Sequence, residues 1–398
     1  MPSPVPLAGR CAGVLWALLL LSLAACTSPP SEPGRTAGAS SAAVSPPGSA
    51  TPASAAPTEA APALKASFVL ATAASGDSLA VVNPADRTNP VVASVVVGQA
   101  PWDVAVHGGR AFVSTAEGVA VVDLRERRRT SLIAYAHPVQ DIEYGEYRPG
   151  GTGIAVSPDG STAFVAVVRA TGPAVLEKID LATGKVVGSV EVGLRPFDIL
   201  MSEDGTEVYT IDHDSFSVHI VESETLAARR VEVAPFGTTG GLASWEKPHY
   251  AALDADGRIL LPYQGLALAV LDPRSSTVTI EEMGANSHQH GAALTADGGG
   301  LLSVGTGAFG NATGEPNLTI RELDSGEERV VPLNRLHETV IPWTDPSSGR
   351  EKALLSGGHT RDGFWEGITV VDLETLEQHE LAVPGRPQAL AAVLQQTP

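Results

Sequence analysis

The chain has 398 residues and a formal charge of −19, with charged residues at 18% and aromatics at 5%. Arg127-Arg128-Arg129 is its only run of three basic residues, so the basic face that nucleic acid requires is missing and nucleic acid is excluded as a partner. The 41 glycines and 30 prolines suit many short strands joined by tight turns, an all-β chain rather than one of long helices.

Residues 1–25 read as an export signal. Arg10 supplies a thin positive start, and AGVLWALLLLSLAA (12–25) is an apolar run too short to span a membrane in the ordinary way. Leu23-Ala24-Ala25-Cys26 resembles the bacterial lipobox. The resemblance implies that Cys26 is lipidated and becomes the first residue of a lipoprotein held to a membrane from outside the cytoplasm. Cys11 would leave with the signal and Cys26 would be consumed by lipid, so no disulfide framework is expected. Residues 26–64 follow, almost entirely Pro, Ala, Ser, Thr and Gly; with no apolar periodicity they read as a disordered tether of roughly 35 Å end to end.

From Lys65 to the end (65–398) the chain repeats itself. GQAPWDVAVHGGRAFVSTAEGVAVVDL (98–124) and GLRPFDILMSEDGTEVYTIDHDSFSVHIVES (193–223) share Gly-x-x-Pro-aromatic-Asp, a strand, a tight turn, a second strand, a loop and a third strand. GIAVSPDGSTAFVAVV, YAALDADGRILLPY and GAALTADGGGLLSV each place Asp-Gly between two apolar runs, a strong hairpin signal because Gly accepts positive φ. First strands are predicted near residues 102, 153, 197, 250, 291, 338 and 387. The last has no partners after it, while the segment from 66 supplies second, third and fourth strands without a first. The C-terminal strand therefore joins the first sheet, closing one β-propeller of seven four-stranded antiparallel blades.

The motifs EKIDLATGKVVGSVEVGLRPFDILMSEDG (177–205), GIAVSPDG (153–160) and ITVVDLETL (368–376) resemble the YVTN/YncE-like propeller repeat family. The resemblance covers nearly all of 66–398. It implies architecture more than activity, since such rings bind, scaffold or catalyse. Insertions at 138–152, 237–248, 307–316 and 359–366 depart from the pattern.

Loops preceding first strands and loops joining second to third strands share one face of a propeller, the top. Of the ten histidines, His137, His213, His249, His288, His290, His337 and His359 fall there, leaving His107, His219 and His379 elsewhere. His249 and His290 share the repeat position of Trp102 and Phe197. His249, His290 and His337, from consecutive blades, form the expected metal set for Zn²⁺ or Cu²⁺, with Asp212, Asp214 or Glu338 available to complete a shell. The wider ligand-binding set adds His213, His359, His288, Trp102 and Asp198. The competing reading is a wet channel mouth whose imidazoles bond only to loop carbonyls and water. Asp103 and Asp198 also suit structural bonds to a neighbouring blade, and Asp159, Asp204, Asp256 and Asp297 belong to hairpin turns.

Three functions follow. The first is a membrane-anchored lipoprotein whose top face binds a small ligand, a metal ion or an extracytoplasmic protein. The second is a lactonase-type hydrolase, for which no nucleophile motif stands out. The third is a purely structural interaction scaffold, which calls for exposed aromatic loop tips.

Overall fold

The computed structural model describes residues 68–233, 247–263, 265–310, 312–361 and 363–393. The export signal, Cys26 and the Pro/Ala/Ser-rich segment lie outside the described residues.

Twenty-eight strands form seven four-stranded antiparallel sheets. The first blade is ordered β28 (Pro387–Ala392), β1 (Val69–Ala73), β2 (Ser78–Val82), β3 (Val91–Val96). Each of the other six takes four consecutive strands. Their innermost strands are β4 (Val104–His107), β8 (Gly150–Val156), β12 (Pro196–Met201), β16 (Ala252–Leu253), β20 (Gln289–Leu294) and β24 (Val340–Thr344). Pairing of Val69 with Ala392, Leu70 with Ala391 and Ala71 with Leu390 shuts the ring, as the orphan C-terminal strand requires. The chain is a seven-bladed β-propeller.

The amphipathic pattern explains the layering. Second strands such as LLSVG within Gly300–Thr306 are buried along their whole length, because each is covered by a blade on either side. Outermost strands such as KVVGSVE (Lys185–Glu191) alternate half-buried with exposed, since one edge faces solvent. Seven apolar clusters lie between adjacent blades. Leu70 and Leu79 meet Val104 and Val113 between the first and second, and Val69 and Leu390 meet Leu354 and Ile368 between the first and seventh. A ring of seven blades has seven such interfaces; an open stack would have six.

The Asp-Gly turns form as read. Gly160 has φ 70°, and its N–H donates to the Ser157 carbonyl at 2.8 Å. Asp159, Asp204 and Asp297 each accept the backbone N–H two residues on, at 3.0 Å. In the fifth blade the turn is shorter and Asp254, not Asp256, takes this part, accepting from Asp256 N–H and Arg258 N–H.

Inner strands are stitched across blades by side chains. Asp103 accepts the Ile154 N–H and Asp198 the Ala251 N–H, both at 3.0 Å. Thr72 donates to the Trp102 carbonyl and Thr152 to the Pro196 carbonyl. The residues just above these stitches form the mouth of the channel.

Candidate metal centre at the channel mouth

Four imidazoles from three consecutive blades meet there. His213 opens the 3-10 turn His213–Ser215 of the fourth blade, His249 precedes β16 of the fifth, and His288 and His290 flank Gln289 at the start of β20 of the sixth. A bulge between Gln289 and Ala292 lets β20 aim His290 inward. Gly291 makes the approach possible, since a Cβ there would lie 2.7 Å from the Glu338 carbonyl oxygen of the next blade.

Trp102, Phe197, His249 and His290 occupy one repeat position, and the ring geometry follows it. Successive centroids lie 5.4, 6.1 and 4.1 Å apart, with the two imidazoles stacked at 27°. His213 packs 4.5 Å from both Phe197 and His249, and its Nε2 is 3.2 Å from His249 Nε2. His288 lies 4.9 Å from His249 and 5.4 Å from His290, centroid to centroid. Two donor sets share His249: His249, His288 and His290, and Glu146, His213 and His249. Within each set, one ligand atom per residue lies within 4.8 Å of the others. A tetrahedral zinc with bonds of about 2.0–2.1 Å holds nitrogens about 3.4 Å apart, so small side-chain rotations suffice.

Burial, then the charges of neighbouring histidines and Arg361, holds His249 and His288 well below the ordinary imidazole range. For His290 burial and Arg361 do the same. His213 is also lowered by burial, although Asp214, 3.0 Å from its Nδ1, opposes the shift. All four shifts favour the neutral imidazole, the form in which histidine binds a metal. His290 is the sharpest case: both ring nitrogens are buried without a hydrogen-bond partner. Its Nδ1 lies 3.1 Å from Glu338 Oε1, but out of line for a hydrogen bond. Burial raises the Glu338 carboxyl above its usual range, despite the hydrogen bond donated by Thr360 at 2.6 Å. For Glu146 burial works the other way from its neighbours, yet His249 and Arg361 hold its carboxyl well below the carboxylate range.

The remaining expected residues part company with the cluster. His337 belongs to neither donor set. Its Nε2 is 2.7 Å from Thr369 Oγ1 and its ring stands edge-on to Trp365, within its own blade. The reason is a one-residue offset: Glu338 stands at the repeat position of Trp102, its N–H donating to Ser356 as that of Trp102 does to Ser114, and adjacent residues of extended chain point oppositely. Glu338, not His337, is the seventh-blade residue that faces His290. His359 bonds through Nδ1 to Gln388 Oε1 at 2.7 Å and meets the edge of Trp102. Trp102 is 1% exposed and donates its indole N–H to the Phe197 carbonyl, so it packs the rim rather than presenting a free face. Asp198 spends its carboxylate on Ala251. Asp212 serves Thr210, Ser217 and His219 inside the fourth blade.

Four participants were not anticipated individually, though all come from the insertions. Glu146 reaches down from 138–149, Lys247 pairs with Asp214 at 2.7 Å, and the Arg361 guanidinium lies 4.0 Å over the Phe309 ring. Arg361 Nη2 is 3.0 Å from Glu146 Oε1. The usable signal was that all four insertions fall on the top face and so must converge there. By contrast, an open depression of about 740 Å³ on the hairpin rim, among Ser202, Asp204 and Asp256, has no histidine in its lining.

No protein-family model and no curated protein matches the chain. Solved structures do. Hydrazine synthase of Kuenenia stuttgartiensis aligns over 69% of this chain and 77% of that one, at 18% identity with a TM-score of 0.52. A functionally unknown protein from Desulfotomaculum acetoxidans aligns over 81% of this chain and 98% of its own, at 10% identity with a TM-score of 0.59. At these identities the likeness is one of fold.

Proposed function

We propose that this protein binds a divalent transition-metal ion, Zn²⁺ or Cu²⁺, at the channel mouth through His249, His288 and His290, with His213 and Glu146 as the adjoining donors. One observation carries the reading: His290, wholly buried, has no hydrogen-bond partner for either ring nitrogen while the His249 and His288 imidazoles lie against it. Leaving a buried polar group unmet costs about 1–3 kcal/mol. A metal–nitrogen bond removes that cost, and neutral imidazoles are the ligands such ions take. The wet-mouth alternative gives His290 a loop carbonyl or water as its partner, and the zinc titration below separates the two readings.

The same proposal places the ring outside the cytoplasm, tethered through a lipidated Cys26, and assigns its repeats to the YVTN/YncE-like family. The support is the Leu23-Ala24-Ala25-Cys26 motif and the repeat pattern of the sequence.

Protein without a polyhistidine tag, titrated with zinc chloride against a chromophoric chelator, is expected to take up the metal stoichiometrically. His249→Ala with His290→Ala abolishes that uptake while cooperative unfolding persists. No uptake by the intact protein refutes the metal reading. The loaded protein assayed on simple sugar lactones separates a binding protein from a hydrolase. Cys26→Ala, which prevents lipid attachment, should release the protein from membranes.

A further inference from the structure

Arg361 is an odd neighbour for a cation site. Its Nη2 touches Glu146 Oε1 at 3.0 Å and stands 3.5 Å from His249 Nε2. Its Nε and Nη1 are buried with no hydrogen-bond partner, and its side chain is 12% exposed. A guanidinium has five N–H donors, and burying it with two nitrogens unmet is costly unless something compensates. The compensation here is the Glu146 carboxylate and the face of Phe309. The Glu146 contact, with His249 Nε2 only 3.5 Å away, lies where an ion held by His249 and Glu146 would put its own charge.

Building on the metal reading, we propose that Arg361 is an internal stand-in cation: it holds Glu146 while the histidine centre is empty, and a divalent ion displaces it. The two cannot coexist comfortably, because like charges within a few ångströms in a poorly solvated pocket repel strongly. Glu146 is the fixed partner. Its loop is pinned on both sides, by Tyr144 donating to Asp77 at 2.9 Å and by the Arg148 guanidinium packing 5.3 Å from the Trp102 ring. Tyr147 adds a further anchor, with the Arg195 guanidinium 4.7 Å from its ring. Arg361, a long side chain held by one carboxylate, one ring and a long contact to His249, is the partner that moves. Filling the site then passes Glu146 from Arg361 to the metal, bringing the Glu146, His213 and His249 set into use, and returns the unmet guanidinium nitrogens to water. Arg361 thereby sets the affinity of the site, weakening it by the cost of its own displacement.

The test uses the full-length protein and zinc chloride. Arg361→Gln keeps a polar group beside Glu146 without the charge, and is expected to bind zinc about tenfold more tightly or better. Arg361→Lys, which keeps the charge, should stay near the wild type. Independently of any variant, phenylglyoxal labelling of the wild type, mapped by mass spectrometry, should modify Arg361 faster once zinc is bound. Equal or weaker zinc binding by Arg361→Gln, or labelling at Arg361 unchanged by zinc, overturns the stand-in role while leaving the metal reading intact. Absence of zinc uptake by the wild type and Arg361→Gln alike overturns the metal reading itself.

Discussion

Asp198 offers a measurement of the channel that needs no ligand. It is half-buried on β12 and spends one oxygen on the Ala251 N–H. Burial, and then the nearby Asp103 charge, push its carboxyl from 3.8 up to about 7, and burial pushes Asp103 up to about 6. A raised carboxyl binds its proton more tightly in the folded chain than in the unfolded one. Its contribution to stability is therefore complete below about pH 4 and is lost as pH rises through the folded value near 7. A rise of about three units amounts to roughly 4 kcal/mol between these limits. Asp198→Asn keeps an oxygen to accept from Ala251 N–H but cannot ionise. Relative to the wild type, the variant should gain nothing near pH 4 and gain steadily to roughly 4 kcal/mol by pH 8. The difference between the two proteins is the right quantity, because the buried histidines act oppositely. Their lowered values take stability away as pH falls, and they do so equally in both proteins. Urea unfolding followed by tryptophan fluorescence at pH 4.5, 6, 7 and 8 supplies the comparison. A stability difference that stays flat across that range, or shrinks with rising pH, refutes the reasoning.

Three further outcomes follow from particular contacts. His337→Ala should lower stability by about 1–3 kcal/mol through loss of the Thr369 contact and the Trp365 packing, and leave zinc affinity unchanged, checked by the same chelator titration. Gly291→Ala drives a methyl to 2.7 Å from the Glu338 carbonyl; it should cost about 1–3 kcal/mol in urea unfolding and, by shifting His290, weaken zinc binding measurably. Ending the chain after Gly385 removes β28, exposing the apolar faces of Val69 and Leu354 and the partners of Gln388. Loss of the cooperative unfolding transition is expected, and a truncated protein that still melts in one step would argue against ring closure as the source of stability.

Architecture was legible because it is written redundantly. Each blade repeats an apolar strand, an Asp-Gly turn and a second apolar strand, so an error in one copy is corrected by the others. The surplus strand Pro387–Ala392 had one place to go. Where a copy deviates, the reading slipped by a residue or two. The shortened turn of the fifth blade moved the capping carboxylate from Asp256 to Asp254, and in the seventh blade Glu338 rather than His337 took the repeat position of Trp102.

The site was legible only where it, too, follows the repeat. His249 and His290 inherit the inward position of Trp102 and Phe197, and inner strands of a closed ring force such residues together whatever their chemistry. His337 shows the limit of that logic. A one-residue difference in strand phase turns a side chain to the opposite side, and composition carries no trace of it; Glu338 faces His290 instead, and His337 packs on Trp365. Glu146 and Arg361 lie in insertions, from the third and seventh blades, where no second copy indicates direction. Their pairing across the mouth depends on the path of 138–149, fixed by tertiary contacts such as Tyr144 with Asp77. The repeat thus supplies His249 and His290, and the insertions supply the charged pair of Glu146 and Arg361 that stands beside them.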